Sequence, residues 1–404
     1  MKSLTIQPII THLTDNDAYK RNMLQAMFHN GQTDKARYEL ICRNTPEYPL
    51  SELFNDVLIE INNLCTLRYT KEELDFISKQ PGMTSDFIEF LERFKFNRKH
   101  IDIYTNDEKI VVTTNGPQIY TMGFEIYVMS IISELYFRRF NSFEKLWETS
   151  NTKLDDKISN LIRYHKTEER YLPIDRQLKI FDFGTRRRWS KDWHLYLVEK
   201  LKECLPDTFL GTSNDYLAMK LGLKPIGTMG HEYLQSFQAM NVNLKMFQKT
   251  ALEKWLTEFN GLNAIALTDT IGMDAFLNDF NLLLAKGYDG LRHDSGDLYD
   301  WGNKAIDYYN MLSIDPLTKQ LIFSDGLTVG SALFLHSYFS PKIKTGFGIG
   351  THFTNDNGKT PLNLVMKLVS LNGSPVAKIS DSPGKTICKD EIFVSYLKHI
   401  FNCK

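Results

Sequence analysis

Seven short apolar runs in the middle and C-terminal thirds of the chain each end abruptly in small, polar or charged residues. They span Ile180–Arg186, Phe209–Asn214, Pro225–His231, Ala264–Thr270, Gly290–Asp297, Leu321–Gly326 and Lys344–Thr351. A continuous apolar run of about four residues suits a parallel strand buried on both faces. Most of the intervals can hold a helix. In a β/α barrel the C-terminal strand ends converge on one rim, where catalytic groups sit. The expected fold is therefore α/β, an irregular parallel barrel, with residues far apart in sequence lining one pocket.

The chain has 404 residues, more than one ordinary core needs. Expected domains are 141–354, the barrel, and a second α/β domain built from 1–140 and 355–404. In that second part, 13–30 reads as a helix capped by Thr14 or Asp15, and 36–42 as a strand. Residues 51–65 and 71–95 read as helices, the latter interrupted at Pro81-Gly82. Lys109–Thr113 and Gln118–Met122 read as a hairpin turning at Asn115-Gly116-Pro117. Residues 124–140 read as a strongly apolar helix. Leu364–Val369 and Pro375–Ile379 read as a hairpin around Asn372-Gly373 that pairs back onto the N-terminal part.

Bulk properties exclude some functions. The formal net charge is −1, so nothing draws the whole molecule to nucleic acid or to an anionic membrane, and an anion site must be local. No apolar stretch reaches the ~18–20 residues of a spanning helix, and the N-terminus lacks the apolar core of a signal peptide. Five cysteines without a CxxC pair suggest reduced thiols and a cytoplasmic location.

The strand ends carry the chemistry. Gly346, Gly348 and Gly350 before Thr351 let backbone N–H groups approach a phosphate, and Ser324-Asp325-Gly326 offers a second such loop. A plain tight turn is the competing reading of each. Arg292-His293-Asp294-Ser295-Gly296-Asp297 suits a polyhydroxylated anion: Arg292 meets negative charge, while Asp294 and Asp297 can accept from ribose hydroxyls or hold Mg²⁺. The bland alternative is a turn in which Asp294 or Ser295 caps the next helix. In Arg186-Arg187-Arg188 at most one or two side chains can face the rim, Arg186 being nearest the strand end. His231 follows small residues and precedes Glu232, which could fix its tautomer; it is either a structural histidine or a base or nucleophile toward phosphorus.

Taken together, these motifs and Thr14–Lys20, Phe183–Arg188, Gly211–Asn214 and Gly227–Glu232 resemble the nicotinate phosphoribosyltransferase family of the ATP-coupled kind, over nearly the whole length. The sequence departs from the pattern at Met229-Gly230, keeping a small residue beside the histidine. The resemblance implies a type II phosphoribosyltransferase fold and a homodimer with active sites at the interface. It implies an ATP-dependent ligase that joins nicotinate to phosphoribosyl pyrophosphate, yielding nicotinate mononucleotide and pyrophosphate for NAD salvage. Mg²⁺ is the implied cofactor and ATP the co-substrate. By motif, His231 becomes a phosphohistidine, and Asp294 holds ribose hydroxyls. Phe183 and Tyr19, the latter from a partner subunit, sandwich the ring. Arg186 and Arg292 meet the carboxylate or a phosphate, with Thr185 and Thr228 beside them. Ser324, Asp325, Gly326, Gly348, Gly350 and Thr351 hold the 5′-phosphate. In nicotinamide-using relatives an acid occupies the position of Ser213, so Ser213 is expected to donate to the nicotinate carboxylate. A nicotinamide or quinolinate phosphoribosyltransferase, and an inactive barrel that senses phosphometabolites, stay open as rivals.

Overall fold

The computed structural model describes residues 7–169, 171–240, 243–382 and 384–403. All seven apolar runs are strands of one parallel sheet. They are β4 (Ile180–Asp182), β5 (Phe209–Thr212), β6 (Lys224–Pro225), β7 (Ile265–Leu267), β8 (Gly290–His293), β9 (Gln320–Phe323) and β10 (Lys344–Ile349). Their order is β6-β5-β4-β10-β9-β8-β7. The last strand thus enters between the first and the last but one, and every neighbour is parallel. The sheet curls into an open barrel. Between its two edge strands Thr228 Oγ1 donates to Ile265 O at 3.0 Å, a side-chain tie where no ladder runs. Helices follow the strands, among them Lys191–Cys204, Leu298–Met311 and Val329–Phe339. β10 is buried almost throughout, which accounts for its unbroken apolar pattern.

A second, antiparallel sheet has the order β12-β11-β1-β3-β2. Its strands are β1 (Lys35–Cys42), β2 (Ile101–Asn106), β3 (Lys109–Pro117), β11 (Leu364–Leu371) and β12 (Ser374–Pro375). As expected, the C-terminal hairpin pairs back: β11 runs antiparallel to β1 from Ala36↔Leu371 to Cys42↔Leu364, with a register shift at Arg37/Tyr38. This brings the middle of β11 over the barrel rim. The helix Phe124–Phe140 lies between sheet and barrel and is buried nearly all round, as an apolar helix without a polar face must be. Ser130 and Ser133 on it donate to Thr185 O and Arg188 O, so the basic turn after β4 is fixed from above.

Two sequence expectations are corrected. The hairpin turns at Asp107-Glu108, where Asp107 takes φ 52°, and β3 runs straight through Asn115-Gly116-Pro117 opposite β1. Residues Gln118–Thr121 are a short helix; Gln118 is drawn inward by Ser236 Oγ at 2.7 Å. The first helix starts at Ala18, not at 13. Thr14 and Asp15 are claimed by distant partners instead: Thr14 donates to Glu73, and Asp15 takes both Arg188 nitrogens at 2.6 and 2.7 Å. The helix Lys71–Ser78 does open with the Thr70–Glu73 capping box.

Candidate active site

Two adjoining cavities open at the barrel rim. The smaller, about 140 Å³, is walled by Asp17, Tyr19, Phe183, Ser213, His231 and Arg292, among others. The larger, about 650 Å³, collects Arg187, the loops at Ser324–Thr328 and Gly350–His352, and lysines from the C-terminal hairpin. Phe183, Arg186, Asp294, Ser324 and Lys367 line both. One end therefore suits a single ring, and the other a set of anionic groups.

The turn after β4 is held by Asp182. Its Oδ1 accepts from Gly184 N at 3.0 Å; its Oδ2 meets Thr212 Oγ1 and His194 Nε2, both at 2.6 Å. That fixes Phe183 and Arg186 at the mouth. Arg186 stands 3.9 Å from Glu125, and Tyr19, Glu125 and Asp294 favour its charge against burial. Arg187 faces the larger cavity and donates to Asn363; burial and the neighbouring Arg186 push its pKa down to about 9. Arg188 is buried against Asp15. Of the basic triplet two members face the site and one ties the N-terminal segment to the barrel.

That tie decides where Tyr19 lies. Ala18 N donates to Ser213 O, Asp17 bridges Asn214, and Asp15 also accepts from Asn214 Nδ2 at 2.8 Å. Tyr19 therefore lines the cavity of its own chain, against Gly227 and Gly230, whose missing side chains leave it room. The resemblance implied a Tyr19 from a partner subunit; within one chain, Tyr19 already stands in the same cavity wall as Phe183.

His231 is the first residue of the helix His231–Ser236. Its Nε2 lies 2.7 Å from Asp269 Oδ1 and 3.7 Å from Asp294 Oδ2. Asp269 is completed by Lys378 Nζ at 2.7 Å and Ser295 Oγ at 2.6 Å. Burial and the Lys378 charge lower the His231 pKa, so the ring is neutral near pH 7. Burial works against the Asp269 charge, yet His231 and Lys378 hold its pKa well below the usual carboxylate range. Glu232 does not orient His231, as the sequence suggested. It shares the buried Lys20 ammonium with Glu125, a stronger claim than a histidine next door.

Other expected residues divide. Arg292 donates to Met229 O and leaves its buried Nε without a protein partner, beside the smaller cavity. Ser324, Asp325, Gly326, Gly350 and Thr351 line the larger one. Gly348 does not: it sits inside β10, and a Cβ there would lie 2.2 Å from Phe183 Cδ2, so its role is to admit that ring. Thr185 is wholly buried behind the wall, and Thr228 spends its hydroxyl on the barrel tie. Asp297 caps the helix Leu298–Met311 through its Oδ1 and lines neither cavity. Ser213 reaches the wall, but its hydroxyl donates to Asp17 Oδ1 at 2.6 Å.

Four groups had no role in the sequence reading: Asp17, Asp269, Lys367 and Lys378. Lys367 on β11 lines both cavities, and burial pushes its pKa down to about 8, with Glu125 opposing and Arg186 assisting. Among the described residues its ammonium has no carboxylate within 4.0 Å. An unpaired cation between a ring-sized hole and a basic basin calls for an anion.

The comparisons with known proteins agree. The model of the nicotinate phosphoribosyltransferase family matches residues 178–404, and that of its N-terminal domain matches 14–133. The chain belongs to the nicotinate phosphoribosyltransferase family. A nicotinate phosphoribosyltransferase of Chromobacterium violaceum is 50% identical over 395 residues, covering 98% of this chain and 97% of the relative. One from Herminiimonas arsenicoxydans is 48% identical, covering 98% of each. The crystal structure of the Vibrio cholerae nicotinate phosphoribosyltransferase superposes with a TM-score of 0.91 at 39% identity, over 98% of this chain and 95% of that one. The coarse function follows from family membership: the chain is an enzyme, a nicotinate phosphoribosyltransferase. No helix among the described residues is long and apolar enough to cross a membrane.

Proposed function

We propose that this chain joins nicotinate to phosphoribosyl pyrophosphate in a reaction coupled to ATP hydrolysis through a phosphohistidine at His231. The observation that carries the coupling is the His231–Asp269 pair at 2.7 Å on the wall shared with the ring site. A neutral imidazole whose Nε2–H is held by a carboxylate keeps its Nδ1 lone pair for attack on phosphorus. In that step Nδ1 bonds to the γ-phosphorus of ATP, and the bond to the β–γ bridging oxygen breaks. ADP leaves, and Asp269 stabilises the charge that the ring acquires. Water later removes the phosphoryl group.

In the transfer step the ring nitrogen attacks the anomeric carbon and pyrophosphate departs. The nitrogen needs no base. The protein's work is to hold anions and to orient the ring. Phe183 and Tyr19 position the ring, with Arg186 and Arg292 for its carboxylate. Asp294, at the junction of the cavities, takes the ribose hydroxyls. The loops at Gly326 and at Gly350–Thr351 receive the 5′-phosphate; Lys367, Lys378 and Arg187 face the leaving pyrophosphate.

Mg²⁺ would neutralise charge on the phosphates. Asp294, a partly exposed carboxylate facing both cavities, fits it as the hard oxygen donor, with substrate oxygens completing the shell. The trio His231, Asp269 and Asp294 could also hold an ion by spacing. There, however, Lys378 already supplies the positive charge, 2.7 Å from Asp269 and 3.5 Å from Asp294. The test is transfer of labelled γ-phosphate from ATP to the protein as an acid-labile adduct, present in the wild type and absent in His231→Ala. No adduct in the wild type would remove the coupling from the mechanism.

A further inference from the structure

Of the acids lining the ring cavity that this reaction leaves unused, Asp17 stands apart because Glu125 and Glu232 are both paired with Lys20. Asp17 is 4% exposed and forms part of the wall. Ser213 Oγ fixes its Oδ1 at 2.6 Å, and the bridge to Asn214 fixes its backbone. The acids around it each have a basic partner. Asp15 has Arg188, Asp215 has Arg21, Asp182 has His194, and both Glu125 and Glu232 have Lys20. Among the described residues, no Lys, Arg or His nitrogen lies within 4.0 Å of Asp17. Arg186 acts on it from further away, and that charge is shared with Tyr19, Glu125 and Asp294.

Nicotinate would bring a second carboxylate into this space. Arg186 and Arg292 favour its charge, but two carboxylates facing each other in one buried site repel, and a proton kept on one of them relieves that repulsion. We propose that Asp17 receives nicotinate as a neutral acid, its O–H donating to the substrate carboxylate while Ser213 steadies its other oxygen. This rests on the reading of the site as a nicotinate site. The proton comes from solvent and stays on Asp17, so the ring nitrogen remains free to attack. Burial already raises the Asp17 pKa; hydrogen bonds from Ser213 and Thr185 and the Arg186 charge oppose it, and Asp182 reinforces it. An ionised Asp17 would repel the acid and could accept from a carboxamide instead. Asp17 thus becomes a specificity-determining residue whose preference depends on its protonation.

The test is calorimetric binding of nicotinate and nicotinamide across pH, in buffers of different ionisation heat. Above the Asp17 titration in the free enzyme, nicotinate binding should take up one proton. Its affinity should fall tenfold per pH unit, while nicotinamide shows neither effect. Asp17→Asn, whose amide donates at every pH, should bind nicotinate without uptake and without the pH slope. An infrared difference spectrum should show a protonated carboxyl band on nicotinate binding, absent in Asp17→Asn. That band distinguishes a proton on the acid from one on the ring nitrogen. A pH-independent nicotinate affinity in the wild type, uptake that persists in Asp17→Asn, or a missing carboxyl band would each overturn the proposal. If Asp17→Asn does not fold, the wild-type slope and band still decide. A wild type that binds no nicotinate at any pH would overturn the reading of the site itself.

Discussion

His231 Nε2 lies 2.7 Å from Asp269 Oδ1, and the same carboxylate is held from its other side by Lys378 and Ser295. The histidine is thereby fixed in one orientation and kept neutral by burial and the nearby ammonium. His231→Ala should abolish nicotinate-dependent ATP hydrolysis and phosphate incorporation, yet leave some ATP-independent transfer, because the ring and sugar sites remain. Asp269→Asn, which disturbs the tautomer, should lower ATP hydrolysis by roughly 10²–10⁴-fold with the fold intact. Full ATP stimulation in His231→Ala would exclude the phosphohistidine.

Gly348 makes a different kind of contribution. Because a Cβ would fall 2.2 Å from the Phe183 ring, Gly348→Ala must push that ring out of place. We expect a destabilisation of about 1–3 kcal/mol, the usual scale for overpacking. We also expect a raised KM for nicotinate with a smaller change in KM for phosphoribosyl pyrophosphate. Steady-state kinetics with thermal unfolding checks both; an unchanged nicotinate KM would mean that Phe183 does not position the ring.

Tyr19 and Asp294 line one cavity of one chain. Tyr19→Ala and Asp294→Ala variants, each inactive alone, should therefore stay inactive when co-expressed. Recovered activity would mean that Tyr19 reaches a neighbouring subunit's site.

Lys367 supplies a pH dependence. Its pKa is pushed down to about 8, so the ammonium is charged below that value and neutral above it. In the free enzyme, kcat/KM for phosphoribosyl pyrophosphate should fall as pH rises through about 8. Lys367→Arg should shift that fall to higher pH, since a guanidinium stays charged. Below about pH 8, Lys367→Met should lose about 1.5–3 kcal/mol of anion binding, roughly 10–150-fold, and the gap to the wild type should close as pH rises above that value. A wild-type profile identical to that of Lys367→Met would remove Lys367 from the phosphate site.

The barrel was legible because each strand ends where apolar residues give way to Gly, Ser, Thr or Asp, a local signal that seven runs share. Much of the rim was legible for the same reason: Phe183, Arg186, His231, Arg292 and Asp294 all follow strands or end them. The illegible parts are those settled by distant partners. Thr14 and Asp15 look like helix caps until Glu73 and Arg188 claim them. Asn115-Gly116-Pro117 looks like a turn, but pairing with β1 keeps it extended. Glu232 looks like the partner of His231 because it is adjacent, while Asp269 lies 38 residues away. Lys367 and Lys378 sit in an ordinary hairpin, and only the pairing of β11 with β1 carries them over the rim. Asp269 did stand at the end of an apolar run, so its position on the rim was a usable signal.

The most direct test of the whole account measures nicotinate mononucleotide and ADP together, from purified protein supplied with nicotinate and phosphoribosyl pyrophosphate, with and without ATP. Product is expected in both cases, more at equilibrium with ATP, with ADP formed in step with the mononucleotide. Each tenfold gain in the product ratio would correspond to about 1.4 kcal/mol drawn from ATP hydrolysis. Product formed at the same rate and to the same extent without ATP, or no product from nicotinate at all, would contradict it.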